Sequence, residues 1–196
     1  TPRSLGELAA STGLPRATVH RLAVRLERHG LVRRDPDGRF ALGLRLIGFG
    51  HAAAEHFPLR AAAAPVLAQL RDETGESVQL YVAEGDGRRC VVSLASPHAL
   101  RWIVAEGALL PMERGSAGKV LDGARAAVSP QGWAESVEER EPGVASVSAA
   151  VRLGDGAVVG AVSVSGPVER LTRRPGARFG RHVVAAAREI AAALGG

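Results

Sequence analysis

Two groups of residues in this chain have the types and spacing to do chemistry. The first is Arg16, Ala17, Thr18, His20, Arg21 and Arg25, with Arg34 and Arg39 a little further on. Guanidinium forks, a hydroxyl and an imidazole crowded along one stretch suit contacts to phosphate oxygens and base edges. The second is Gly115-Ser-Ala-Gly-Lys119 together with two Ser-x-Ser pairs, Ser146/Ser148 and Ser163/Ser165. Hydroxyls two residues apart on a strand share a face, and backbone N–H groups of a glycine-containing loop that opens a helix can hold a carboxylate. A buried hydroxyl without a partner costs about 1–3 kcal/mol. The serines therefore line either a polar outer sheet face or a small polar pocket facing the Ser116 loop.

Neither group has a catalytic pattern. As a phosphate-binding loop, Gly115–Lys119 would need glycine at residue 113 and a hydroxyl after Lys119, and the chain has Glu113 and Val120. There is no Gly-x-Ser-x-Gly elbow, no His/Asp/Glu metal spacing, and no acid pair at strand ends. The acid run Glu135, Glu138, Glu139 and Glu141 reads as a solvated helix end. No enzyme activity, cofactor or metal is expected.

The elements that would position the first group are legible. Pro15 suits the first turn of a helix and Gly30 the position just past its end, so a helix is expected over about residues 15–29. At 100° per residue Val19, Leu22, Ala23 and Leu26 form its packing stripe, which leaves Arg21 and Arg28 opposite and His20 and Arg25 on the flanks. Upstream, Ser4 and Glu7 make a capping box for a shorter helix, and Gly13-Leu14 turns between the two. Two short strands follow, Leu31–Arg34 and Arg39–Leu42, around Asp35-Pro-Asp-Gly38. Helix-turn-helix plus hairpin is a winged helix. A solvated basic helix face is the plain alternative; the whole constellation favours DNA.

Charge agrees with that placement. Residues 1–58 hold nine arginines against five acids, and the other residues sixteen basic against fifteen acidic groups, so +4 of the net +5 lies in the first third. Lys119 is the single lysine, a bias that fits a GC-rich genome better than selection for recognition. Cys90 is the single cysteine, which rules out an intrachain disulfide and a cysteine-built zinc site. With no signal-like segment and no apolar run of spanning length, the expected compartment is the cytoplasm, away from membranes.

Further along, Gly43–Phe57 reads as a linker helix weakened by Gly48 and Gly50 and stopped by Pro58, with a packing surface for a second subunit. His51 and His56 are five apart, off the spacing of a helical metal pair. Leu59–Gly75 has the spacing of an amphipathic helix, and Ser77–Ala83 with Arg89–Leu94 that of a hairpin. A strand is expected over His98–Ala105, a short helix from Gly115, two strands over Val144–Val151 and Val158–Ser165, and a final helix over Ala177–Leu194. The fold class is α+β: helices on an antiparallel sheet.

The chain resembles the IclR family of bacterial transcription regulators over nearly its whole length. The likeness rests on Ser4–Leu46, which includes Leu14-Pro-Arg-Ala-Thr-Val-His-Arg-Leu and Gly30-Leu-Val; on Gly115–Lys119; on Glu138–Val144 followed by Ala149-Ala-Val151; and on Ser163-Val-Ser-Gly-Pro167. It implies a winged helix-turn-helix domain at 1–43, a linker helix at 44–58 and a GAF-like effector-binding domain at 59–196, assembled as homodimers or tetramers. It also implies a small organic acid or aromatic metabolite as effector, met by Ser116, Ala117, Ser146, Ser163 and Ser165 with Leu100, Trp102, Leu110 and Met112 as apolar walls. The preference is for a carboxylate. Relatives usually begin with another helix before Ser4 and carry some tens more residues between Lys119 and Trp133, whereas here Leu121 runs almost directly into Asp122-Gly-Ala-Arg. Ser146 and Ser136 stand where some relatives have a cysteine and an acid.

The expected function is a repressor or activator that binds double-stranded operator DNA and responds to that effector. A sensor acting through protein contacts without specific DNA binding is the alternative, and a hydrolase using Ser116/Lys119 with Ser163/Ser165 is a weaker one.

Overall fold

A computed structural model describes residues 1–123 and 128–195 of the chain. It divides into two compact units, Thr1–Phe57 and Pro58–Gly196. The expected junction of Leu121 with Asp122-Gly-Ala-Arg runs into residues outside those described.

The first unit begins with helix α1, Leu5–Thr12, capped by Ser4: the Ser4 hydroxyl accepts from the Glu7 amide at 3.2 Å, and the Glu7 carboxylate accepts from the Ser4 amide at 2.6 Å. Gly13, at φ +67°, ends it in the left-handed conformation that glycine adopts without a Cβ penalty. Helix α2 is Arg16–Arg28, with Pro15 at its N-cap and not inside the first turn. Strands β1, Val32–Arg34, and β2, Phe40–Leu42, pair antiparallel around a turn in which Asp35 Oδ1 accepts from the amides of Asp37 and Arg39. Arg3 adds a third rung, exchanging backbone hydrogen bonds with Phe40 at 2.7 and 2.8 Å. Helix α3, Arg45–Glu55, completes the unit.

The packing stripe of α2 is narrower than its periodicity predicts. Val19 and Ala23 are buried, but Leu22 and Leu26 stay partly exposed and, with Leu8, Leu14 and Phe40, line an open apolar groove of about 370 Å³. A helix of this length turned against one short helix and a two-stranded wing has too little partner surface to cover four apolar positions.

The second unit is built on a six-stranded antiparallel sheet, with strands β3 (Ser77–Glu84), β4 (Gly87–Leu94), β5 (Leu109–Pro111), β6 (Trp133–Val137), β7 (Val144–Arg152) and β8 (Val158–Pro167). Their spatial order is β5-β4-β3-β8-β7-β6. Helices α4 (Pro58–Thr74) and α7 (Pro175–Ala193) pack on one face, α4 against β3 and β4 and α7 against β6, β7 and β8. That face is apolar: Val78, Leu80, Val147, Val162 and Val164 are fully buried. Gly176 and Gly180 of α7 admit Trp133, whose ring a Cβ at either position would meet at 2.2 and 2.5 Å. Short helix α5, Ser116–Leu121, and the chain between β4 and α5 cover the opposite face; α6 is the single turn Val168–Leu171.

Two expectations are corrected. Residues 98–105 form no strand. The edge of β4 is instead taken by the segment after Gly107, whose φ of +81° turns Leu109–Pro111 alongside Gly87–Arg89. The acid run is no helix end: Glu135 lies inside edge strand β6, and Glu138, at φ +58°, starts the turn into β7, with its amide donating to the Val144 carbonyl at 2.8 Å. Pro142 and Gly143 end the run, and ladder pairing of residues 133–137 with 145–149 wins over a helix too short to nucleate.

Candidate functional site

On the first unit, Arg16, Ala17, His20, Arg21 and Arg25 are exposed along α2, and Thr18 is half-buried. Gly13 and the Pro15 cap set the angle at which this face is presented. Among the described residues none of the four charged or imidazole side chains has an ion-pair partner. The wing is different. Arg34 Nε donates to Glu27 Oε2 at 3.3 Å with its guanidinium 4.6 Å from the Phe40 ring centroid, and Arg39 donates to Glu7 Oε2 at 2.8 Å and to the Pro2 carbonyl. Both wing arginines are thus already engaged, although exposed ion pairs are worth only about 0–1 kcal/mol and exchange readily. Arg33 is exposed and among the described residues its side chain has no ion-pair partner; strand alternation, which turns it away from Arg34, marks it in the sequence as well.

On the second unit, the polar stripe of the sheet is covered. Ser146 and Ser148 of β7 face Ser163 and Ser165 of β8, and Ser77 and Gln79 of β3 continue the row. Ser116, at the start of α5, sits over them with its Oγ 2.7 Å from both Ser146 Oγ and Ser148 Oγ. Ser165 Oγ donates to Gln79 Oε1 at 2.8 Å, which leaves Gln79 Nε2 without a partner. This is an internal hydroxyl layer and not a wetted outer face. Gly118 lets α5 lie close against the Met112 carbonyl, because a Cβ there would fall 1.9 Å from its oxygen.

Beside the layer lies a cavity of about 30 Å³ lined by Tyr81, Arg88, Trp102, Ser116, Ser146 and Ser163, with Ala117 and Ser165 also on its wall. Of the four apolar walls expected, Trp102 alone borders it. Leu100 is 70% exposed, Leu110 packs against the core around Tyr81 and Cys90, and Met112 does not border it. For Leu100 the missing strand at 98–105 is the reason, and Leu110 is held in β5 at the edge of the sheet.

Comparison with known proteins gives these sites a setting. The model of the IclR helix-turn-helix domain matches residues 1–36, and that of the bacterial transcriptional regulator IclR C-terminal domain matches residues 51–129 and 124–192. The chain belongs to the IclR family. It is similar to the glycerol operon regulatory protein of Streptomyces griseus, 31% identical over 97% of this chain and 86% of that one. That alignment runs to 221 residues against the 196 of this chain, and the two C-terminal matches meet at residues 124–129. Among solved structures it is similar to an IclR transcriptional regulator from Alicyclobacillus acidocaldarius (22% identity, TM-score 0.83, covering 97% of this chain and 90% of that one). It is also similar to an IclR homolog from Microbacterium hydrocarbonoxydans complexed with 4-hydroxybenzoate (20% identity, TM-score 0.78, 99% and 92%). These two likenesses concern the fold.

As an IclR-family member the chain is a transcription regulator, not an enzyme, with a DNA-binding helix-turn-helix and an effector-binding C-terminal part. Its fold class is the α+β arrangement expected. Among the described residues, no group of three or more His, Cys, Asp and Glu side chains could hold a metal, and no helix is long and apolar enough to cross a membrane.

The cavity wall also holds residues that the sequence left unmarked. Arg88 on β4 is 2% exposed, Arg140 in the β6–β7 turn lies with its guanidinium 5.3 Å from the Trp102 ring centroid, and Tyr81 completes the wall together with Ser136. Burial raises the Tyr81 phenol well above its ordinary value and pushes the Cys90 thiol up to about 12. Both stay protonated near neutrality. In the sequence, Arg88 is one arginine among many; only its burial distinguishes it.

Proposed function

We propose that the first unit reads a two-fold operator in duplex DNA and that the second holds a small carboxylate that alters that binding. In this reading Arg16, Ala17, Thr18, His20 and Arg21 enter the major groove, with Arg25, Arg33 and, after release of their ion pairs, Arg34 and Arg39 on phosphates. The single observation that carries the effector half is the hydroxyl layer: Ser116 bound to Ser146 and Ser148, with Ser163 and Ser165 buried beside a cavity. Buried hydroxyls aimed at a common space suit the oxygens of an acid better than an apolar or cationic compound. The 4-hydroxybenzoate in the Microbacterium hydrocarbonoxydans homolog, itself a carboxylate, supports the class. Leu44 and Ile47 of the linker segment are about three-quarters exposed and Phe49 about half, which favours a homodimer or tetramer that covers them. A regulator of this kind works in the cytoplasm.

Selection of random duplex DNA by the purified protein, at two salt concentrations and with and without a panel of small acids, tests the reading. An enriched two-fold motif whose recovery changes with an acid is the expected result. Weak, steeply salt-dependent binding with no enriched motif would move the chain to a sensor that acts through protein contacts. Sedimentation at several concentrations checks the oligomer, and a monomer throughout would remove the role given to Leu44, Ile47 and Phe49.

A further inference from the structure

We propose that Arg88 is the charge-recognition residue of the effector cavity: a buried guanidinium held without an acidic partner, which binds the carboxylate group of a compact acid. The inference rests on the carboxylate reading above and adds the residue that would meet the charge. Arg88 lines the cavity and is 2% exposed, yet among the described residues it makes no ion pair. Its Nη1 donates to the Pro111 carbonyl, its guanidinium carbon lies 5.4 Å from the Tyr81 ring centroid, and among the described residues its Nε has no hydrogen-bond partner. Gly115 and Gly118 leave the room it occupies: a Cβ at either would come within 3.1 Å of a guanidinium nitrogen. Besides the Tyr81 phenol, Glu113 is the one acidic group among the described residues that favours its charge, and it is exposed, while Arg140 adds a second positive charge on the same cavity wall.

Burying a cation beside another cation is unfavourable unless something of opposite charge shares the space. Elsewhere on the same sheet the chain supplies that partner: Glu76 is buried and takes two hydrogen bonds from Arg170, at 2.6 and 2.8 Å. At Arg88 it supplies hydroxyls and a cavity instead. A guanidinium fork matches a carboxylate in two parallel hydrogen bonds, with Ser116, Ser146 and Ser163 available for a second polar group. The cavity of about 30 Å³ holds a few water-sized centres, which is the size of a short acid. Anything bulkier requires the Trp102–Arg140 pair on its wall to part.

The test is calorimetric titration of the full chain with acetate and benzoate, each against its neutral amide, repeated on Arg88→Met and Arg88→Lys. The thermal midpoint of each unliganded variant is measured alongside. We expect at least one acid to bind the unaltered chain, with its amide at least about 10-fold weaker. Arg88→Met should bind that acid at least about 30-fold more weakly, while its midpoint stays level or rises because an uncompensated buried charge is gone. A purely structural Arg88, fastening Pro111 to β4, would instead lower the midpoint. If Arg88→Met does not fold, Arg88→Lys decides: a reduced preference for acid over amide in the folded lysine variant supports the assignment, and an unchanged preference overturns it. Acids that bind Arg88→Met as they bind the unaltered chain overturn this inference and leave the carboxylate reading standing. Binding of neutral or cationic compounds alone would overturn the carboxylate reading itself.

Discussion

The two units of this protein place their polar chemistry in opposite ways. Along α2 the functional groups stand in water: Arg16, His20, Arg21 and Arg25 are exposed and have no ion pair among the described residues, and only Val19 and Ala23 of that helix are buried. In the second unit the polar groups are inside: Ser116, Ser148, Ser163, Ser165, Gln79 and Arg88 are all buried, and most are held to one another. An exposed charge costs the fold little and can be spent on a partner. A buried hydroxyl or guanidinium is tied to the packing around it. Substitutions on α2 should therefore change DNA binding and leave stability alone, whereas substitutions in the hydroxyl layer should change stability and ligand response.

The largest effect is expected at Gly118. Gly118→Ala would drive a Cβ into the Met112 carbonyl, so α5, which carries Ser116, must shift from its place. Urea unfolding should show a loss of about 3 kcal/mol or more, and ligand response should disappear with it. If stability held, the hydroxyl layer would not depend on that close approach and the contrast between the units would weaken.

At Arg21 the opposite signature is expected. Arg21→Ala should cost about 1–3 kcal/mol of operator affinity and relax preference at one base position if the side chain reads a base, with no change in urea midpoint. Uniform weakening over all sequences with a smaller salt slope would reassign it to phosphate. A fall in stability would show that the α2 face is not independent of the fold.

A smaller change sharpens the same contrast. Ser148→Ala removes one of the two hydrogen bonds that Ser116 makes, and should cost about 1 kcal/mol of stability while leaving duplex binding of the unliganded protein unaltered. The smallest effect sits at the capping box. The Ser4 backbone amide, then its hydroxyl, and the Arg39 guanidinium hold the Glu7 carboxyl below its ordinary value. A carboxyl whose folded value is depressed contributes stability above the ordinary carboxylate range and loses it as pH falls through the folded value. The difference in thermal midpoint between the unaltered chain and Glu7→Gln should accordingly be present at neutral pH and close on acidification; a difference independent of pH would detach Glu7 from the charge of the cap.

The same contrast explains what could be read in advance. Capping by Ser4 and Glu7, the turn at Gly13, the wing turn at Asp35–Gly38 and the β7–β8 pairing are local matters of one to ten residues, in which hydrogen-bond geometry and side-chain period repeat the sequence pattern. Where a segment's state depended on a distant competitor, the pattern misled. Residues 98–105 lost the β4 edge to 109–111, and the acid run was drawn into a strand by β7.

By itself the sequence determined the helix-turn-helix with its wing, the basic face of α2, the α+β class of the second part and the spacing that puts serines on one strand face, because each of these follows from interactions between near neighbours in the chain. Only the tertiary structure decided that Ser116 closes over Ser146 and Ser148, that Leu100 and Met112 stay off the cavity, that Arg34 and Arg39 are already paired, and that Arg88 is buried without an acid. Burial and pairing are properties of surfaces brought together from far apart in the chain, and an arginine in a sequence carries no mark of what will cover it.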